Sequence, residues 1–144
     1  MGYIRLVIIM LYSEHITFPY GQTENTATRR SFKVNRDVIS MVWITFPPGC
    51  VGLVKVRIYH EGHPFLPSQK DEYIVGDNYV FEIPVFHEIL GAPEQITIEG
   101  WNEDDTYDHT ISIYFLILPK KYLMPVGAYE GIIKSLGSIF QRPG

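Results

Sequence analysis

The sequence contains one cysteine, Cys50, among its 144 residues. A single thiol cannot form an intrachain disulfide, so disulfide bonds do not hold this fold, and secretion into an oxidising compartment gains no support. Cys50 follows Pro47, Pro48 and Gly49 in a predicted turn, and no histidine lies near it in the sequence to activate the thiol. We therefore expect Cys50 to be a small apolar core residue and not a nucleophile.

Charge is also sparse. Charged residues make up 19% of the chain, and the formal net charge is −4. The adjacent basic pairs are Arg29-Arg30 and Lys120-Lys121, and the remaining basic residues are scattered. Nucleic-acid binding needs a basic patch or stripe, which this chain lacks. We expect no nucleic-acid partner.

The chain has no apolar run of the length that a membrane span needs, which is about 20 residues. The most hydrophobic run covers residues 3–12. A signal peptide would require small residues at a cleavage site, and Ser13, Glu14 and His15 are a poor match. The run is expected to be a structural strand.

Sequence signatures of catalysis are missing. Neither the dinucleotide-binding pattern GxGxxG nor the phosphate-binding pattern GxxxxGK[ST] occurs. His60, His63, His87 and His109 show no recognised metal-ligand spacing, so they are expected to be ordinary surface histidines. We predict no cofactor and no enzymatic activity. An enzyme with a cupin-like barrel is an alternative, which requires metal-binding histidines clustered in one cavity.

The sequence contains short β-strand patterns instead. Residues 95–118 are expected to form a hairpin of two strands closed by an acidic turn, because Ile96 and Ile98 alternate with polar residues and the second half shows the same period. Leu116 and Leu118 make the other face of the second strand apolar too. A strand apolar on both faces must be covered on both, so it is central in a sheet or lies against another chain.

Eight or nine such strands are spaced by about 8–12 residues, a pattern typical of an all-β sandwich or barrel. Ten prolines and twelve glycines, nearly all between the strands, favour the same class. We predict a jelly-roll-like β-sandwich of about eight antiparallel strands with a short C-terminal amphipathic helix. An immunoglobulin-like sandwich is the alternative, although its Cys…Trp…Cys arrangement is absent. The predicted organisation is an N-terminal hydrophobic strand or arm (1–20), the β-sandwich (21–119) and a C-terminal helical tail (120–144).

The two ends of the chain supply the predicted interface residues. In the tail, apolar residues recur on one face of a helix, at Ile132, Ile133, Leu136, Ile139 and Phe140. Two glycines in this stretch weaken the helix, each by about 1 kcal/mol relative to alanine, so it must gain stability from packing. The N-terminal run contributes Leu6, Ile8 and Ile9. We expect these residues to join chains together.

The predicted turn at residues 102–109 holds four carboxylates and a histidine. Clustered oxygen ligands suit a hard cation such as calcium, with Asp104, Asp105 and Asp108 as candidate ligands, although the EF-hand spacing is absent. The explanation we favour is a solvated loop whose Asx side chains hydrogen-bond within their own turn.

Trp101 and Tyr107 lie at or near the ends of predicted strands, where exposed rings could stack on a sugar. A carbohydrate-binding module or adhesin head, with calcium at the acidic turn, is therefore the alternative function. The other explanation is that these rings belong to the core or the rim of the sandwich, with their polar tips at the surface.

Four stretches in the middle of the chain resemble a family of small β-sandwich proteins of phages and other viruses of prokaryotes, which serve as virion accessory or decoration proteins. The stretches are residues 46–50 (FPPGC), 62–67 (GHPFLP), 76–77 (GD) and 101–110 (WNEDDTYDHT). The resemblance covers residues 23–119 and excludes the first twenty residues and the C-terminal helix. It implies a structural role and transfers no catalytic or ligand residue.

The expected function is that of a non-enzymatic virion protein, assembled in the host cytoplasm, that decorates or cements a capsid or forms part of a vertex or spike. The expected partners are further copies of the chain, as a homo-oligomer for which we predict a trimer, and another virion protein such as the major capsid protein.

Overall fold

The computed structural model describes residues 10–35, 37–90 and 92–119. This part of the chain forms eight β-strands and one short 3-10 turn at Glu24–Thr26. The strands are β1 (Met10–Phe18), β2 (Thr28–Val34), β3 (Asp37–Phe46), β4 (Val54–His60), β5 (His63–Leu66), β6 (Tyr79–Glu88), β7 (Glu94–Asn102) and β8 (His109–Pro119). They make two four-stranded antiparallel sheets, in the orders β1-β8-β3-β6 and β2-β7-β4-β5. The prediction of an all-β fold with about eight antiparallel strands is confirmed.

The strands pair so that the first meets the last. β1 pairs with β8, β2 with β7, β3 with β6, and β4 with β5. The eight strands therefore form four antiparallel pairs that are nested along the chain. The β3–β8 and β4–β7 ladders join these pairs into the two sheets. Among these eight strands, only the connection from β4 to β5 stays within one sheet. Both sheets therefore depend on β7 and β8, the last two of the described strands.

The core lies between the two sheets and is built from alternate residues of their strands. From β8 the inward residues include Ile111, Ile113 and Phe115, all fully buried. β4 contributes Val54, Val56 and Ile58 in the same way. Cys50 is also fully buried in this core, and burial raises the pKa of its thiol to about 11. Its predicted place as an apolar core residue is confirmed.

The predicted hairpin at residues 95–118 is wrong. β7 lies between β2 and β4 in one sheet, whereas β8 lies between β1 and β3 in the other, so the acidic turn crosses from sheet to sheet. The alternation of apolar and polar residues correctly predicted both strands. It shows which face of each strand is apolar, but it does not show which strand lies beside it. The strand that is apolar on both faces was expected to be central in a sheet or to lie against another chain, and β8 is central in its sheet.

Two further boundaries differ from the predictions. Proline cannot donate a hydrogen bond to a neighbouring strand, so Pro84 by itself predicts the end of one strand and the start of another. β6 instead continues through Pro84, because β6 is an edge strand and a proline there costs no ladder hydrogen bond on the open side. The described part of the predicted N-terminal arm is one unbroken strand, β1, which pairs with β8 along its length. It therefore belongs to the sheet. The predicted C-terminal helix lies outside the described residues.

Candidate functional site

The acidic turn between β7 and β8 is held by its own side chains. Asp104 Oδ1 accepts hydrogen bonds from the backbone N–H groups of Thr106 (2.9 Å) and Tyr107 (3.3 Å). Its other oxygen, Oδ2, lies 2.8 Å from His109 Nε2. The hydrogen bond with His109, followed by that from Thr106, holds the pKa of the Asp104 carboxyl below its usual range. Asp104 is thus a turn-stabilising residue, as in the Asx-turn explanation.

The two remaining candidate calcium ligands are also engaged by protein groups. Asp105 Oδ1 accepts a hydrogen bond from the Thr106 hydroxyl (2.8 Å). Asp108 Oδ1 accepts one from the backbone N–H of Tyr20 (2.9 Å), which follows β1. These hydrogen bonds explain the positions of Asp104, Asp105 and Asp108 without a bound ion.

Asn102, at the end of β7, links this turn to β1. Its side-chain amide donates to the carbonyl oxygens of Phe18 (3.0 Å) and Tyr107 (2.8 Å), and its Oδ1 accepts from the Asp104 N–H (2.9 Å). The residue is completely buried, so all three bonds are shielded from water. Sequence analysis missed this role, because an asparagine at a strand end also fits an ordinary solvated turn.

The two candidate sugar-stacking rings have different environments. Trp101 is 2% exposed. The guanidinium group of Arg57 lies over its ring, 5.0 Å from the ring centroid, and the ring of Tyr73 meets it in a T-shaped arrangement, with 5.6 Å between the centroids. Its indole N–H donates to Glu103 Oε1. Tyr107 is exposed. Because Trp101 is covered, the two residues do not form a shared platform on which a sugar ring could stack.

The outer face of the sheet β2-β7-β4-β5 is charged and internally paired. Glu99 is 2% exposed, and both of its oxygens are bound by arginines: Arg57 Nε donates to Oε1 (2.6 Å), and Arg29 Nε donates to Oε2. Arg57 also donates to Glu24 (2.9 Å). A buried carboxylate is stable only with such partners. We call this surface the charged outer face.

Part of the outer face of the other sheet is apolar, whereas another row on that face, formed by His15, Ser112, Thr45 and Val80, is mostly polar. One row of directly opposed residues crosses all four strands and consists of Leu11, Leu116, Met41 and Pro84. The next row consists of Ser13, Tyr114, Trp43 and Glu82. Phe86 lies on the same side of β6, two residues beyond Pro84, and is 72% exposed, while Leu11 is 57% exposed. We call the two rows together with Phe86 the apolar outer face.

The interface residues predicted from the sequence lie elsewhere. Leu6, Ile8, Ile9, Ile132, Ile133, Leu136, Ile139 and Phe140 are outside the described residues. The apolar outer face was not predicted as a surface. The sequence of β8 indicated such a surface, because β8 is apolar on both faces. The rows of opposed residues depend on the positions of β1, β3 and β6 beside β8, which the sequence does not give.

Two of the predicted surface histidines meet at one end of the core. His60 ends β4, His87 lies near the end of β6, and Glu94 begins β7. His60 Nε2 is hydrogen-bonded to Glu94 Oε2, and His87 Nε2 lies 3.6 Å from the same oxygen. The two imidazole rings are 4.2 Å apart between centroids. His63 and His109 are not part of this group, which the sequence could not reveal because its members lie on three strands in two sheets.

The surroundings of this group favour a neutral imidazole at His87 and an ionised carboxylate at Glu94. Burial, followed by the neighbouring His60, lowers the pKa of His87. Burial by itself would raise the pKa of Glu94, but the hydrogen bond from His60 and the backbone N–H of Leu90 outweigh it, so the pKa of Glu94 is lowered. These are the protonation states in which both groups can bind a cation.

No protein-family model, no curated protein and no solved structure matches this chain. Within residues 10–35, 37–90 and 92–119 there is no helix of the length and hydrophobicity needed to cross a membrane.

Proposed function

We propose that this chain is a jelly-roll β-sandwich that serves as a non-enzymatic structural protein of a virus particle, such as a decoration, cement, vertex or spike subunit, and that it acts through contacts with other protein chains. The observation that carries the proposal is the difference between the two outer faces of the fold. One is charged and internally paired, and the other is apolar and partly exposed.

The jelly-roll assignment is supported by strand order. A jelly roll has eight strands in two sheets and is made of two Greek keys. The nested pairing of β1 with β8 through β4 with β5, with strands crossing between sheets at nearly every connection, is the order expected for that arrangement. Viral capsid domains are among the proteins built this way, and lectin domains and cupins share the architecture. The fold alone therefore does not select the function.

The contact function is supported by the apolar outer face. Soluble monomers seldom expose contiguous apolar patches larger than a few hundred Å², and such large patches mark interaction sites, protein interfaces among them. Within the two rows of the apolar outer face, Glu82 is the charged residue, and the first row is apolar from edge to edge. By contrast, Glu99 and Lys55 on the charged outer face are paired with charged side chains of the same chain.

We take the occupant of the apolar outer face to be a second copy of the chain, because symmetric homo-oligomers are the commonest soluble assemblies. A trimer is the symmetry that we propose for a capsid protein of this kind. Attachment to another particle protein, such as the major capsid protein, then uses surface that remains free in the oligomer.

The test changes the most exposed residues of the apolar outer face. Light scattering coupled to size-exclusion chromatography of the full chain is expected to show an oligomer. The substitutions Leu11→Glu and Phe86→Glu, which place carboxylates in the contact, are expected to convert it to a monomer with an unchanged circular dichroism spectrum. Tyr107→Glu is the matched control, because Tyr107 is 67% exposed but lies on the acidic turn. It is expected to leave the oligomer intact.

A monomer at all concentrations for the unmodified chain would contradict the proposed self-association, as would an oligomer that survives both Leu11→Glu and Phe86→Glu. The place of the protein on a particle has its own test. Antibodies against the chain should label the surface of purified virus particles in immunogold electron microscopy, and unlabelled particles would remove the virion assignment.

A further inference from the structure

We infer that His60, His87 and Glu94 form a binding site for a zinc-like divalent transition-metal ion, which joins one sheet to the other. This inference does not rest on the proposed virion function, because it concerns side chains at one end of the core and none of the residues of the apolar outer face. Its basis is the chemistry of three side chains, their separation, and one nitrogen atom without a partner.

The donor set matches the inferred ion. Two imidazole nitrogens and one carboxylate oxygen are ligands that zinc accepts, and a set of two histidines and one glutamate with water in the fourth position is a known zinc arrangement. Calcium and magnesium prefer sites made of oxygen atoms alone. The same set also accepts neighbouring first-row ions such as cobalt, which is useful as a spectroscopic probe.

The three donor atoms are grouped closely enough to bind one ion. They lie within 4.8 Å of one another. In a tetrahedral site with metal–ligand bonds of about 2.0–2.1 Å, neighbouring ligand atoms are about 3.3 Å apart. The distance from His87 Nε2 to Glu94 Oε2 is 3.6 Å, which is close to this spacing. His60 Nε2 is hydrogen-bonded to Glu94 Oε2, so a bound ion would replace this hydrogen bond and separate the two atoms.

The backbone holds the ligands in place. β4 and β7 are hydrogen-bonded neighbours, with His60 opposite Ile96, so His60 and Glu94 are fixed relative to each other by one ladder. His87 comes from β6, which belongs to the other sheet. The ring of Phe65 packs on the His87 ring at 5.0 Å between centroids. An ion at this position would connect β6 to β4 and β7.

One atom of the group lacks a partner. His87 Nε2 is buried and makes no hydrogen bond with any described residue, and Glu94 Oε2 lies beyond hydrogen-bond distance from it. A buried polar nitrogen without a partner is costly and calls for a specific explanation. A metal ion would use the lone pair of this nitrogen. The side chains of His60, His87 and Glu94 remain 23%, 25% and 19% exposed, so water can reach a fourth coordination position.

The experiment uses the full chain after treatment with a chelator. Isothermal titration calorimetry with zinc is expected to show one ion per chain, zinc is expected to raise the unfolding temperature, and cobalt is expected to give the visible absorption of a four-coordinate site. Glu94→Gln and His87→Gln should each weaken zinc binding at least about tenfold and remove most of the thermal shift. His15→Gln is the matched control, because His15 is an exposed histidine on the other side of the sheet. It should bind zinc as the unmodified chain does.

Circular dichroism without metal checks that each variant is folded. Glu94→Gln keeps the size and shape of the side chain, so it decides the question if His87→Gln does not fold. Unchanged zinc affinity in Glu94→Gln would overturn the inference. So would a loss of binding in Asp104→Asn, which would move the ion to the pair formed by Asp104 and His109, or the absence of zinc binding to the unmodified chain.

Discussion

The ring of Phe18 packs directly against the backbone of Gly100, although the two residues belong to different sheets. A Cβ atom on Gly100 would lie 2.7 Å from Phe18 Cε1 and 2.8 Å from the carbonyl oxygen of Lys55. The second of these atoms is backbone of β4, which is fixed by its ladder with β7. The missing side chain at position 100 therefore sets how closely the sheets can approach at this end of the fold.

Replacing Gly100 by alanine is expected to lower the free energy of unfolding by about 1–3 kcal/mol, the usual cost of overpacking a core. Urea denaturation measures the change, and the slope of the transition should stay the same because the surface exposed on unfolding does not change. Ser68→Ala, an exposed substitution in the loop after β5, is the control and should stay within about 0.5 kcal/mol. Equal stability of Gly100→Ala and the unmodified chain would show that the sheets can separate freely here.

The contribution of Asp104 to stability is expected to depend on pH. Its pKa in the folded chain is held below the ordinary value of about 3.9 by His109 and by the turn amides. A lowered pKa stabilises the folded state fully above the unfolded-state pKa, and this stabilisation is lost as the pH falls through the folded-state pKa. Asp104→Asn should therefore be less stable than the unmodified chain at neutral pH, and the difference should shrink in acid.

Urea denaturation of both proteins between neutral pH and about pH 2 checks this expectation. His109→Gln removes the largest cause of the lowered pKa, and it should also reduce the acid dependence of stability. A difference between Asp104→Asn and the unmodified chain that stays constant with pH would contradict the proposed charge effect, leaving only a loss of hydrogen bonds.

Cys50 is expected to react very slowly with thiol reagents while the chain is folded. Burial raises the pKa of its thiol to about 11, so at pH 8 roughly one molecule in a thousand carries the reactive thiolate. The chain has no other cysteine, so the reaction with a chromogenic disulfide reports on this residue alone. The rate should be at least about 100-fold lower in the folded chain than in denaturant. Similar rates in both conditions would mean that Cys50 is accessible.

Strand positions were largely predictable from the sequence, because alternation of apolar and polar residues depends only on which face of a strand is buried. β4 and β8 show this clearly, since their inward residues are those the alternation selected. Pro84 was a false boundary, because proline interrupts a strand only where the N–H of that position is needed. Whether it is needed depends on the neighbour, and the sequence does not name the neighbour of β6.

The candidate sites were less predictable. The acidic turn attracted attention because its carboxylates are adjacent in sequence, yet Asp104 accepts hydrogen bonds from the turn and Asp108 accepts one from Tyr20, just after β1. The group of His60, His87 and Glu94 had no such signal, because its members approach one another only when two sheets pack. Trp101 was a reasonable candidate for an exposed ring until Arg57 and Tyr73 were found against it.

By itself, the sequence determined about eight antiparallel strands, a buried cysteine and a strand that is apolar on both faces. Each of these properties follows from local periodicity and from the solvation of individual side chains. The tertiary structure alone decided that β7 and β8 lie in different sheets, that Leu11, Leu116, Met41 and Pro84 form one apolar row, and that two histidines meet a glutamate. These relationships depend on pairing between distant strands, which is selected by the combined packing of both sheet faces and which no local pattern encodes.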